Sequence, residues 1–204
     1  MHQLKGKRIG LHNFPNDLHT LEVMLTHTGL SLQDVTVVKV DFDFAPFLRG
    51  EIDAMQSYII DEPAALKAQG VEVNVIRASD HGYTMYAQVF FCTEQMIQTR
   101  PELVKTFLET SFRGWRVAIN TPEATARMVI ERYYPGGDLS HQIESLKLIR
   151  YLVTKGVGEE LIGMMNRTVW EKSIQLLLRS GLLKAPLPPE EVFTLQFLKA
   201  IYGF

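Results

Sequence analysis

The sequence predicts an α/β fold joined to an all-helical second half, and three observations predict it. Strand-like and helix-like segments alternate from Arg8 to about Phe91, helix patterns alone run from Thr93 to Phe204, and 46% of the 204 residues are apolar, enough for a proper core. Strands alternating with helices pair in parallel and carry helices on the sheet faces. Amphipathic helices with no strands of their own either form a separate bundle or cover a sheet lying in sequence outside these residues. The length suits one large domain or two small lobes.

Each element has a local reason. Arg8 to Leu11 reads as a short strand. Asp17 to Thr28 reads as a helix, with Leu18, Leu21 and Leu25 on one stripe and Gly29 in the terminating position. The β-branched run Val35 to Val40 predicts a strand, and Pro46 to Arg49 a short helical turn. Then follow a strand at Ala54 to Ile60, a helix at Pro63 to Gln69 closed by Gly70, a strand at Val71 to Ile76, and a last strand at Thr84 to Phe91. Pro101, Pro122 and Asp138 open successive helices, with Thr121 as an N-cap before proline at the first helical position. Gly181 and the segment "APLPPEE" separate the helix containing Trp170 from the last one.

Composition excludes several functions. The formal charge is −2 with Lys and Arg scattered, so the basic footprint of a nucleic-acid binder is missing. The single cysteine, Cys92, excludes an internal disulfide and a Cys-rich metal site and leaves the redox compartment open. The first seven residues lack the apolar core of a signal peptide, and no segment approaches the ~18 uninterrupted apolar residues of a membrane span. As written, the chain is expected to be neither exported nor membrane-spanning, although a removed leader would leave no trace.

The chemistry-bearing residues gather where predicted strands give way to helices, the edge at which open parallel sheets bind ligands. In "IIDEPAALKAQG", Asp61 and Glu62 stand between a strand and a helix, with Pro63 in its first turn. Either is able to cap free backbone N–H groups, and a carboxylate there is also able to accept paired hydrogen bonds from an amidine-like edge such as that of an aminopyrimidine. In "HNFPNDLH", His12 to Asn16 line the end of the first strand, with Asn13 and Asn16 as candidate ligand contacts and an N-cap as the plainer role for Asn16 or Asp17. The loop "RASDHGYTMY" adds Asp80 and Tyr83, and Tyr58 and Tyr83 offer ring faces to a flat heterocycle. The sequence lacks Gly-x-Gly-x-x-Gly, Gly-x-Ser-x-Gly and His-Glu-x-x-His patterns and any close metal-ligand spacing. No catalytic residue, cofactor or metal is therefore expected.

Taken together, "LKGKRIGLH", "TGLSLQDVTVVKVD", "FLRGEIDAMQSYIIDEPAALKAQGVEV", "SDHGY" and "RPELVKTFLETSFRGWRVAINTPEATARMVIERY" resemble the type II periplasmic substrate-binding proteins of the thiamine-precursor/nitrate/sulfonate/taurine group. The same superfamily holds the fungal thiamine-pyrimidine synthases. The resemblance implies two α/β lobes around a cleft, joined by crossing strands, and delivery of a small molecule to an ABC transporter permease. It places lobe two at 4–83, a crossover strand at 84–92 and the helical part of lobe one at 93–204, with the usual N-terminal part of lobe one lacking a counterpart. It also implies that Glu62 faces the aminopyrimidine of a thiamine-type precursor or related heterocycle, within a ligand set of Glu62, Asp61, Tyr58, Tyr83, Asn13, Asn16 and Asp80.

A periplasmic or membrane-tethered extracytoplasmic location follows if a leader is removed. The alternatives are a pyrimidine synthase of the same superfamily, which the single cysteine disfavours, and the sensing domain of a membrane receptor. Helices left without a sheet, such as Pro101 to Asn120 with Leu103, Phe107, Phe112 and Trp115, are expected to promote self-association.

Overall fold

The computed structural model describes residues 1–12 and 15–204, and its chain divides into two compact units, Met1–Met85 with Lys172–Pro186 and Tyr86–Glu171 with Leu187–Phe204. The first unit contains β1 (Arg8–Leu11), α1 (Asn16–His27), β2 (Thr36–Lys39), α2 (Ala45–Leu48), β3 (Ala54–Met55) and α3 (Glu62–Ala68). Its sheet is parallel with order β2-β1-β3, in the register Arg8 opposite Thr36 and Ile9 opposite both Val37 and Ala54.

Ile9 and Leu11 of β1 meet Leu21 and Leu25 of α1 in the buried core, with Leu18, Val37 and Ala54 packed around them. Removing these side chains from water is what docks the helix on the sheet. Gly10 keeps the middle strand slim: a Cβ there would stand 2.6 Å from Cδ1 of Ile52. Helix α1 stops where Gly29 turns to φ +78°, and the Gly29 and Leu30 N–H groups return to the carbonyls of Thr26 and Leu25 at 3.1 and 3.0 Å. Gly70 and Val71 close α3 in the same way, on Lys67 and Leu66.

The second unit is helical among the described residues. It contains α4 (Glu94–Thr99), α5 (Pro101–Asn120), α6 (Pro122–Arg132), α7 (Leu139–Thr154), the start of α8 (Arg167–Arg179) and α9 (Gln196–Tyr202). Phe112, Ile119, Ile162 and Leu198 form its core, with Trp115, Ile149 and Val153 against them. Arg116 donates to the carbonyls of Glu159 and Glu160 at 3.0 and 2.8 Å and lies over the Tyr202 ring, while the Tyr202 hydroxyl donates to the Ile162 carbonyl at 2.5 Å. These bonds satisfy carbonyls in the irregular stretch between α7 and α8.

Several expectations need correction. Neither Val71–Ile76 nor the expected crossover strand at 84–92 pairs with another strand among the described residues, and β3 ends at Met55 rather than Ile60. Pro15 occupies the N-cap of α1, so Asn16 and Asp17 lie inside the helix. Thr121 does sit between α5 and α6, but its hydroxyl donates back to the Val117 carbonyl at 2.8 Å instead of capping α6. On α5, Phe112 is buried and Trp115 half-buried, whereas Leu103 and Phe107 are exposed.

Candidate functional site

In the sheet of the first unit the chain runs from β1 outward to β2 and then crosses to β3 on the opposite side of β1. Strand order reverses beside β1, and a crevice opens at the carboxyl ends of strands at such a reversal. His12, the residue after β1, is buried at that point. Its Nδ1 lies 2.8 Å from the carbonyl oxygen of Asp41, just past β2, and its Nε2 lies 2.9 Å from that of Gln56, just past β3. One imidazole thus ties the carboxyl ends of all three strands. Both partners are acceptors, so both hydrogen bonds form together only when both ring nitrogens carry hydrogen.

The His12 ring also stacks on Phe42, with centroids 4.7 Å apart and planes 9° from parallel. Phe42 belongs to the run Asp41-Phe42-Asp43-Phe44, in which Oδ1 of Asp43 accepts the Ala45 N–H at 2.9 Å and starts α2. The amino ends of β1 and β3 carry a different tie. Asp53 accepts from the backbone N–H of Arg8 at 2.9 Å and from its guanidinium at 3.0 and 3.3 Å.

Tyr58, Asp61 and Glu62 come together in the turn between β3 and α3. Glu62 is the first residue of α3, half-buried, with Pro63 in the first turn, and its Oε2 accepts the Tyr58 N–H at 2.8 Å. That bond occupies one carboxylate oxygen and fixes the other in direction. Asp61 holds the N-cap position, but its side chain makes no capping bond; its carbonyl accepts the N–H groups of Ala64 and Ala65. Tyr58 is exposed.

Asp80 and Tyr83 belong to a different segment, a 3-10 turn (Ala78–His81) and the residues just beyond it, which packs on α1. The Tyr83 ring meets His19 edge-on at 6.4 Å, and His81 meets His27 at 6.4 Å. A Cβ on Gly82 would approach His27 Nδ1 to 3.0 Å, so this glycine allows the close contact as well as the φ of +85°. Asp80 is exposed and accepts the Ser79 hydroxyl at 3.2 Å. Asn16 is exposed in the first turn of α1, and Asn13 lies outside the described residues.

Sequence reasoning missed the pairing of His12 with Phe42. Its one visible sign was an aromatic residue between two aspartates directly after a strand. Among the described residues there is no group of three or more His, Cys, Asp or Glu able to hold a metal ion.

Residues 1–125 match the NMT1/THI5-like family, a span that contains β1 to α3 and every residue of the edge just described. The chain belongs to that family. Over 207 aligned residues it is 30% identical to the riboflavin-binding protein RibY of Chloroflexus aurantiacus, a match that covers 97% of this chain and 58% of the relative. Its fold is also that of the crystal structure of the periplasmic sulfonate-binding protein SsuA from Methylobacillus flagellatus KT. The TM-score is 0.64 at 16% identity, over 99% of this chain and 61% of the other.

This NMT1/THI5-like chain therefore has the type II periplasmic-binding-protein-like fold, in the form of one βα unit and one helical unit. It spans about three-fifths of the length of these relatives. No helix among the described residues is long and apolar enough to cross a membrane.

Proposed function

We propose that this chain supplies the solute-contacting βα part of an NMT1/THI5-like binding protein, which holds a small nitrogen heterocycle and passes it to an ABC transporter permease. The observation that carries this reading is the meeting of the three strand ends at His12, with Glu62 opening the next helix beside that edge. In this assignment the βα unit is lobe two, 84–92 is the crossover segment and the helical unit is part of lobe one. Its place is outside the cytoplasm, periplasmic or membrane-tethered. Binding without turnover is favoured because both relatives above are named as binding proteins, while THI5 in the family's description keeps a pyrimidine synthase as the alternative.

The free oxygen of Glu62 is the acceptor for the heterocycle's N–H edge, with Tyr58 and Asp61 in the same turn, and Asn13, Asn16, Asp80 and Tyr83 as outlying contacts. A thiamine-type aminopyrimidine offers such an edge. Riboflavin, named for the Chloroflexus relative, offers a ring N–H in its fused pyrimidine-type ring and is the second reading.

Two substitutions separate ligand contact from local structure. Glu62→Gln keeps a carbonyl oxygen for the Tyr58 N–H and removes only the charge, so stability should hold while a 4-aminopyrimidine or riboflavin binds about 2 kcal/mol more weakly. Glu62→Ala should lose both. Calorimetry that gives Glu62→Gln the wild-type affinity would reduce Glu62 to a residue that shapes the start of α3.

A further inference from the structure

Phe42 is 77% exposed, and an isolated exposed apolar side chain ordinarily carries no message. This ring differs in how it is held. It lies flat on the His12 imidazole, which is itself fastened to the strand-end carbonyls of Asp41 and Gln56, so one face is backed by a fixed, buried group while most of the ring stays open. A rigid aromatic surface loses little conformational entropy when a second ring stacks on it. It stands at the carboxyl edge, beside the reversal of strand order where ligands enter such sheets.

The charges around Phe42 narrow the ligand further. Asp41 and Asp43 flank it in sequence; Lys39 at the end of β2 is the nearest cation on that strand, and Arg49 just after α2 acts electrostatically on Asp43. Asp43 spends one oxygen on the start of α2, and neither aspartate takes part in an ion pair closer than 4 Å among the described residues. Two carboxylates adjoining the ring in sequence disfavour a sulfonate there and admit a neutral or cationic ring.

We infer that Phe42 is the stacking surface for one planar heteroaromatic ring of the solute, held in place by His12 as a positioning residue, and that the flanking aspartates turn away organic sulfonates. This rests on the reading that the solute binds at the carboxyl edge. The test uses riboflavin, followed by quenching of its fluorescence, and a 4-aminopyrimidine and taurine, followed by calorimetry.

Phe42→Ala should weaken the planar probes on the order of tenfold, the scale of one lost base–aromatic stack, and Phe42→Trp should stay within about threefold of wild type. His12→Asn should also weaken the planar probes, but should add no further loss in a Phe42→Ala background, because His12 acts through Phe42. Wild-type affinity in Phe42→Ala, or fully additive losses in the double variant, would overturn the inference. Wild-type protein that binds taurine and neither planar probe would overturn the stacking surface, the exclusion of sulfonates and the heterocycle reading together, leaving only solute binding by the chain. Binding of none of the three would overturn that as well, whereas planar probes bound with wild-type affinity in Phe42→Ala would overturn the stacking surface alone.

Discussion

At the scale of single residues the sheet is fastened at both ends by different chemistry. His12 gathers neutral carbonyls at the carboxyl edge, whereas Arg8 and Asp53 form a charged tie at the amino edge, which is exposed and far less restrictive. The side-chain hydrogen bond from Arg8, then the Arg8 backbone N–H, hold the Asp53 carboxyl down to about 2 from an ordinary 3.8, against a smaller opposing effect of desolvation. A carboxyl with a folded pKa below its unfolded one stabilises the fold fully above the unfolded value and loses that contribution as pH falls through the folded value. The window is therefore from about pH 4 down to about pH 2. Asp53→Asn should unfold at lower urea than wild type at pH 7, and the gap should close across that window. Parallel urea midpoints at pH 7, 4 and 2.5 would show that the tie contributes nothing.

At the scale of elements, the features legible in the sequence are those that depend on a few neighbouring residues. Strand β1, the stripe of α1, the stops at Gly29 and Gly70, the helix starts at Pro101 and Pro122 and the cap at Asp138 all rest on local pattern, and all appear. Val71–Ile76 has strand composition but no partner among the described residues, and a strand exists only where a second segment completes its ladder. The Glu62 turn was legible because proline fixes its boundary. The His12 tie was not, because its acceptors are backbone carbonyls 29 and 44 residues away that carry no sequence signature.

Gly163 shows the same dependence on distant partners. Its φ is +94°, and a Cβ would stand 2.3 Å from Cζ of the buried Phe112. Gly163→Ala should cost about 2 kcal/mol or more, from overpacking plus the left-handed backbone, and Phe112→Leu in that background should return part of it. Urea unfolding followed by tryptophan fluorescence measures both, and an unchanged midpoint for Gly163→Ala would contradict the packing of Phe112 on this loop.

For the whole molecule the decisive quantity is apolar surface left in water. On α5, Leu103, Phe107 and Val117 are 53, 55 and 57% exposed, and a groove of about 410 Å³ runs beside Val117, Ala118, Gly114 and Met128 toward α6. Phe91, at 94%, adds a ring close in sequence to α4. Stable monomers seldom leave such a run open, because each Å² of apolar surface covered gains roughly 25 cal/mol, so a few hundred Å² rival the net stability of a small domain. A second copy of the chain is always present to cover it. The purified 204-residue protein should therefore scatter light as a species heavier than 23.2 kDa at tens of micromolar, and its mass should fall on dilution. Leu103→Lys with Val117→Lys should lower that mass toward 23.2 kDa without loss of helix content, since both side chains point into solvent and Arg113 adds like-charge repulsion beside them. A concentration-independent monomer in the unsubstituted protein would show that the α5 face is tolerated in water, and the double lysine variant would then behave identically.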